Sequence, residues 1–202
     1  MESFHLIDLR DGQQYGKVRI GEQVWMTENL KAKVFRNGDS ILEARTVTEW
    51  LNAANAGLPA WSYFGNLSSN GDKFGCLYNW FAVNDSRGLA PNGWHIPDDS
   101  EWWELTEHLG GNNVAAVKMK SSDGWLLEGN GDNSSGFNAK PGSFRAYDGN
   151  FYGGLGALAF WWSASAYSEN QAWQRFVDYS SPVVDRNVNY KSSGFAVRCV
   201  ED

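Results

Sequence analysis

Three histidines, two cysteines and several Asp/Asn clusters are the residues of this 202-residue chain whose types first suggest chemistry. His5, His95 and His108 lack the short ligand spacing of a zinc site. His95 precedes a carboxylate-rich stretch, "PDDSE" (97–101), but no Gly-x-Ser-x-Gly turn supplies a nucleophile. A structural hydrogen-bonding role is therefore expected of it, and no catalytic residue is assigned. Cys76 and Cys199 sit in the apolar, strand-like contexts "GCLYNW" and "VRCV", which raise a thiol's pKa rather than activate it. They either form one bond, which requires Cα atoms within about 7 Å, or stay as two buried free thiols, the favoured reading. The loops "NGDK" (70–73), "EGNGDNSSG" (128–136) and "YDGN" (147–150) offer hard oxygen ligands for Ca²⁺, with Asp132 and Asn133 the first candidates. No EF-hand spacing is present and these residue types equally form turns, so no cofactor is assigned.

A different chemistry, that of a contact surface, is suggested by "WQRFVDYSSPVVDRNVNY" (173–190). It starts with strand alternation, Trp173, Arg175 and Val177 on one side and Gln174, Phe176 and Asp178 on the other. Small polar residues and tyrosines follow, with no apolar period. Tyr supplies rigid area at low entropy cost, and Asn and Ser supply adaptable hydrogen bonds. We read Gln174, Phe176, Asp178, Tyr179, Asp185, Asn187, Asn189 and Tyr190 as a presented face, with Trp173, Arg175, Val177 and Arg186 as its frame. Trp162 and Tyr167 are added as candidate contacts upstream. Trp161 and Trp162 must face opposite ways on a strand, and burial of both is the stronger expectation. An exposed Trp there would stack on a sugar or anchor a protein.

The elements that would hold these residues read as short strands, short helices and pinned loops. Asp11-Gly12 suits a tight turn, Val18 and Ile20 alternate with charged residues, and Val24 and Met26 follow a second turn. Thr46 and Glu49 have capping-box spacing for a helix that stops at Gly57. Asp98 and Glu101 do the same for a helix with Trp102, Leu105 and Leu109 inside, stopped by Gly110-Gly111. A third short helix begins at Asn112 or Asn113. The stretch 58–97 reads as a long loop pinned by Trp61, Tyr63, Phe74, Tyr78, Trp80 and Trp94. No linker and no repeat interrupts the chain, so one α+β domain over residues 1–202 is expected.

A net charge of −7, with Lys and Arg scattered singly, offers no basic stripe for a nucleic-acid partner. No apolar run approaches the twenty residues of a membrane span. The opening "MESFHLIDLRDG" lacks the basic and apolar parts of a secretory leader, which does not settle localisation.

Taken together, "GEQVWMTENL", "LYNWFAVNDSRGLAPNGWHIPDDSEWWELTEHLGG", "SGFNAKPGSFR", "FWWSAS", "AWQRFV" and "SGFAVRCV" resemble the Fibrobacter succinogenes major paralogous domain across residues 8–201. The chain departs from that pattern at Lys140, where Leu often precedes Pro-Gly, and at Ser143-Phe144, which stand for Gly-Tyr. Ala90 stands where some members carry Cys. The resemblance implies a single C-type lectin-like domain: two or three short helices, a small antiparallel sheet whose terminal strands pair, and long loops displaying a binding surface. It implies a surface or secreted recognition module with a protein or glycan ligand, similar to the variable proteins of diversity-generating retroelements. Alternatives are a polysaccharide-binding module, a structural adhesin domain, or an enzyme like the formylglycine generators. That last chemistry needs activated cysteines, which the contexts of Cys76 and Cys199 do not provide.

Overall fold

The computed structural model describes residues 5–202. Three strands, β1 (His5–Ile7), β2 (Gln14–Ile20) and β3 (Gln23–Met26), form an antiparallel meander. Gly12 and Gly21 turn the chain with φ of 73° and 61°, a region that costs glycine little. A short β4 (Leu42–Glu43) leads into α1 (Val47–Asn55), where Thr46 and Glu49 complete the expected capping box. Gly57 follows the helix with φ of 65°.

Next come β5 (Ala60–Ser62), α2 (Ser68–Phe74), β6 (Leu77–Tyr78), the single turn α3 (Trp80–Val83) and β7 (Trp94–His95). The strand β5 runs parallel to β4 and antiparallel to β6. The clearest helix, α4 (Asp99–His108), starts at an Asp98–Glu101 capping box, and α5 (Asn112–Met119) follows directly. Residues 120–143 form turns and loops. A hairpin of β8 (Phe144–Arg145) and β9 (Phe151–Tyr152) then precedes an antiparallel sheet of β10 (Leu158–Ala166), β11 (Gln171–Asp178) and β12 (Val184–Tyr190). The chain ends in β13 (Val200–Glu201), inserted between β3 and β7.

The protein is therefore mixed α+β, with five α-helices and several small, mostly antiparallel sheets among the described residues. Two or three helices and one sheet were expected. The extra helices α2 and α3 lie in the stretch that reads as loop. A seven-residue helix with Gly71 inside it and a four-residue turn show too little of the 3.6-residue period to be seen.

Apolar side chains gather in two main clusters. One holds Tyr15, Met26, Tyr78, Trp80, Trp162 and Phe195. The other holds Trp25, Trp102, Phe137, Trp161, Val177 and Val184. Adjacent residues of β10 thus enter different clusters, as strand alternation requires. Both indoles are fully buried and their N–H groups satisfied: Trp161 donates to Asn29 Oδ1 at 2.9 Å and Trp162 to the Tyr78 carbonyl at 2.8 Å. Pairing them is what makes burial affordable for such polar-tipped side chains.

Candidate functional site

The register of β10–β12 decides which residues share a face. Phe160, Phe176 and Asp185 align across the sheet, as do Trp162, Gln174 and Asn187. On the opposite face Trp161, Arg175 and Arg186 align, and Ala159, Val177 and Val184, which join the second cluster with the inner residues of α4 and α5. Arg175 is buried and ion-pairs with Asp99 at 2.8 Å, and Arg186 grips the same carboxylate through Nε and Nη2. The Arg186 guanidinium also lies 3.4 Å from the Trp173 ring centroid. These residues make up the frame.

The ten candidate contacts do not form one surface. Trp162 is 0% exposed, as the stronger expectation for it had it, and so is no contact residue; Gln174, at 2% exposure, also belongs to the interior, which corrects its placement on the presented face. The alternation is right, but the far face is also covered. The ring of Phe195 packs on Trp162 at 4.4 Å and on Phe160 at 4.9 Å, and Phe144 packs on Phe160 at 4.7 Å. Phe176 is half-buried and stacks on Phe160 at 5.1 Å. Asp178 accepts from the Ser180 backbone and hydroxyl in a turn, and Tyr179 packs against the second cluster. Burial, and to a lesser degree the charge of Asp178, raises the Asp185 carboxyl above the ordinary carboxylate range. Tyr167 is exposed at the other end of the sheet, edge-on to Trp173. Asn187 is exposed and accepts from the Val188 N–H.

Asn189 and Tyr190, at the end of β12, do enter a site. With Phe144, Tyr147, Asp148 and Tyr152 they line an open groove of about 400 Å³. Tyr147, Tyr152 and Tyr190 are 55%, 50% and 48% exposed, a concentration of half-solvated aromatic area. Tyr147 and Tyr190 meet at 5.0 Å between centroids, their planes 53° apart. Asn189 Oδ1 accepts from the Tyr190 N–H and the Ser193 hydroxyl, fixing the end of β12.

The β8–β9 hairpin supplies the other wall. Phe144 pairs with Tyr152 and Arg145 with Phe151, so Phe144 and Tyr152 share the groove face and Arg145 and Phe151 the other. Arg145 is buried and donates to the Gly149, Ala44 and Thr46 carbonyls at 2.8, 2.6 and 2.9 Å. Its guanidinium stacks on Trp50 and Phe151, and burial pulls its pKa down to about 10. The Asp148 carboxylate accepts from the Asn150 N–H and amide and from the Tyr152 hydroxyl. The backbone N–H of Asn150 leads these in holding the Asp148 carboxyl below its usual range. Tyr147, Asp148 and Tyr152 were missed as contacts because "YDGN" reads as a turn. The available signal was a pair of tyrosines flanking that turn, just after the Pro-Gly-x-x-Arg motif.

The whole chain but its first and last segments, residues 18–201, matches the Fibrobacter succinogenes major domain. The chain belongs to that family. No curated protein and no solved structure matches it.

The other candidate residues lie outside the groove. Cys76 and Cys199 are separate buried thiols, each pushed up to about 12, chiefly by burial. His95 bridges Glu101 and Asp202 at 2.6 and 2.8 Å. Asp132 accepts from Ser134 N–H and Asn133 from Asn138 N–H, as turn formers do. Among the described residues no three His, Cys, Asp or Glu side chains converge as a metal site, and no helix is long and apolar enough to cross a membrane.

Proposed function

We propose that this domain is a non-enzymatic recognition module of C-type lectin-like type, acting at a cell surface or in a secreted protein. The observation that carries the reading is the groove. Three half-exposed tyrosines and a carboxylate are brought together there from segments some forty residues apart, on a hairpin and a strand end that are both firmly braced. Exposed, rigid aromatics on a fixed scaffold are what hot spots are made of. The lectin-like assignment is supported by the chain ends sharing one sheet, β13 lying between β3 and β7.

A diversifying retroelement would find its freedom at Asn187, Asn189 and Tyr190, whose replacement leaves the Arg145 and Arg175 anchors untouched. The ligand class is a protein or a glycan. The test is a glycan array and a peptide array probed with the wild-type chain and with a Tyr147→Ala/Tyr190→Ala variant of matching near-ultraviolet circular dichroism. Ligands captured by the wild type are expected to weaken at least about tenfold with the variant. Undiminished capture would place recognition elsewhere.

A further inference from the structure

The charge and geometry of the groove narrow its ligand further, an inference that rests on the recognition reading above. No Lys or Arg lines the groove. Arg145, the nearest in sequence, is on the other face of the β8–β9 hairpin and buried, with its guanidinium committed to three carbonyls. Lys191 is drawn away to the Glu169 carbonyl and the Trp80 ring. Asp148 is the one charged residue of the lining, and the aromatic rings beside it are those of Phe144, Tyr147, Tyr152 and Tyr190, whose faces are sources of negative potential.

Three bonds already occupy most of the about four acceptor positions of this carboxylate. Both Asp148 oxygens already accept bonds from Asn150 or Tyr152, so it offers charge more than vacant acceptor positions. Sugar recognition would draw on free acceptors and a flat ring platform. Here the Tyr147 and Tyr190 planes meet at 53°, which makes a corner. A rounded, weakly hydrated cation that needs no directed hydrogen bond suits a corner of aromatic faces beside a fixed negative charge. We propose that the groove binds an alkylammonium group, of the kind found in choline-type headgroups and methylated lysine side chains.

The probe is choline, titrated calorimetrically at low salt into the full chain, beside its uncharged carbon isostere 3,3-dimethylbutan-1-ol. Choline is expected to bind at least about fivefold tighter than the isostere, the share a cation–π site adds over apolar contact. Asp148→Asn keeps the oxygen that accepts from the Asn150 N–H, and is expected to weaken choline about threefold while leaving the isostere unchanged. Tyr190→Ala is expected to weaken choline about tenfold. Equal affinity for the two probes, no choline binding, or indifference to Asp148→Asn overturns the cation assignment. If any of these occurs while array ligands still depend on Tyr147 and Tyr190, only the cation assignment falls. Methyl-lysine peptides and choline-bearing vesicles then separate the two natural sources of the same chemistry.

Discussion

Two guanidiniums converge on one carboxylate where α4 meets the sheet, and their energetics differ sharply. Arg175 is 1% exposed and Arg186 41%, while Asp99 between them is 25% exposed. Burial works against the ionised Asp99, but Arg186 and Arg175 outweigh it and hold its carboxyl below the ordinary range. Removing that charge strands Arg175 in the interior. Asp99→Asn is expected to cost about 3 kcal/mol in urea unfolding, near the lower edge for breaking a buried pair. Arg186→Gln gives up a solvated pair and a ring contact, and is expected to cost about 1 kcal/mol. Equal losses would mean that burial does not rank these two ions. His95 gives a second test at this scale, in pH. Burial lowers its pKa, but the bonds to Glu101 and Asp202 prevail and the net shift is upward. With a carboxylate at each ring nitrogen, only the imidazolium can donate to both. A raised folded-state pKa stabilises fully below the unfolded value of about 6.5, and that contribution is lost as pH rises through the folded value. Wild type is therefore expected to lose stability relative to His95→Gln as pH rises above about 6.5, with parallel profiles as the contrary result.

The helix α4 shows how local sequence becomes a tertiary wall. Asp98 Oδ1 accepts from the Ser100 and Glu101 N–H groups, and Glu101 returns a bond to the Asp98 N–H. Trp102 and Leu105 are fully buried behind that cap, while Trp103 faces outward at 57% exposure. Trp102 lies 4.9 Å from Trp25 and 6.0 Å from Trp161, joining the meander to β10. Asp98→Ala is expected to cost about 1 kcal/mol and Trp102→Ala about 4 kcal/mol, both read from chemical denaturation. Similar losses would contradict the division between cap and core. Features of this kind are legible in sequence, because capping spacing and an inner stripe are written within ten residues. The covering of β10 and β11 on both faces is not. Whether Phe160 and Trp162 meet solvent depends on Phe144 and Phe195 arriving from elsewhere in the chain, and no local pattern encodes that. The groove falls between these cases. Asn189 and Tyr190 stand out by composition, but Tyr147 and Tyr152 become partners only through the two-residue strands of a hairpin too short to show alternation. Gly71 illustrates the same limit, since a Cβ there would collide with the Tyr63 ring at 2.0 Å. That close contact explains the glycine inside α2 but cannot be read from its neighbours.

At the scale of the whole molecule, the last residues close what the first ones open. Val200 lies opposite both Trp25 and His95, and Glu201 opposite Trp94. The Met26 N–H donates to the Cys199 carbonyl, and the Asp202 N–H to that of Gly93. Just before this strand, buried Arg198 donates to Asn29 Oδ1 and to the Met26 and Phe137 carbonyls. Asn29 Oδ1 also receives the Trp161 indole, so one amide oxygen ties the meander, β10 and the C-terminal segment together. Burial pulls the Arg198 pKa down to about 9. A chain ending at Arg198 would keep this anchor and lose residues 199–202. Gone with them are two buried side chains, Cys199 and Val200, the latter worth about 1.5–3 kcal/mol, and the ladder that joins β3 to β7. Against a total stability of about 5–15 kcal/mol, this loss parts β7 from β3 and leaves α4 held to the meander only through its side chains, Trp102 on Trp25 among them. Such a truncation is expected to lose its near-ultraviolet circular dichroism and its cooperative thermal transition, while β10–β12, whose ladders and whose bonds to Ala196 all lie before residue 199, retain protection in hydrogen exchange. A sharp transition at the wild-type midpoint would show instead that the Arg198–Asn29 junction alone suffices to close the fold.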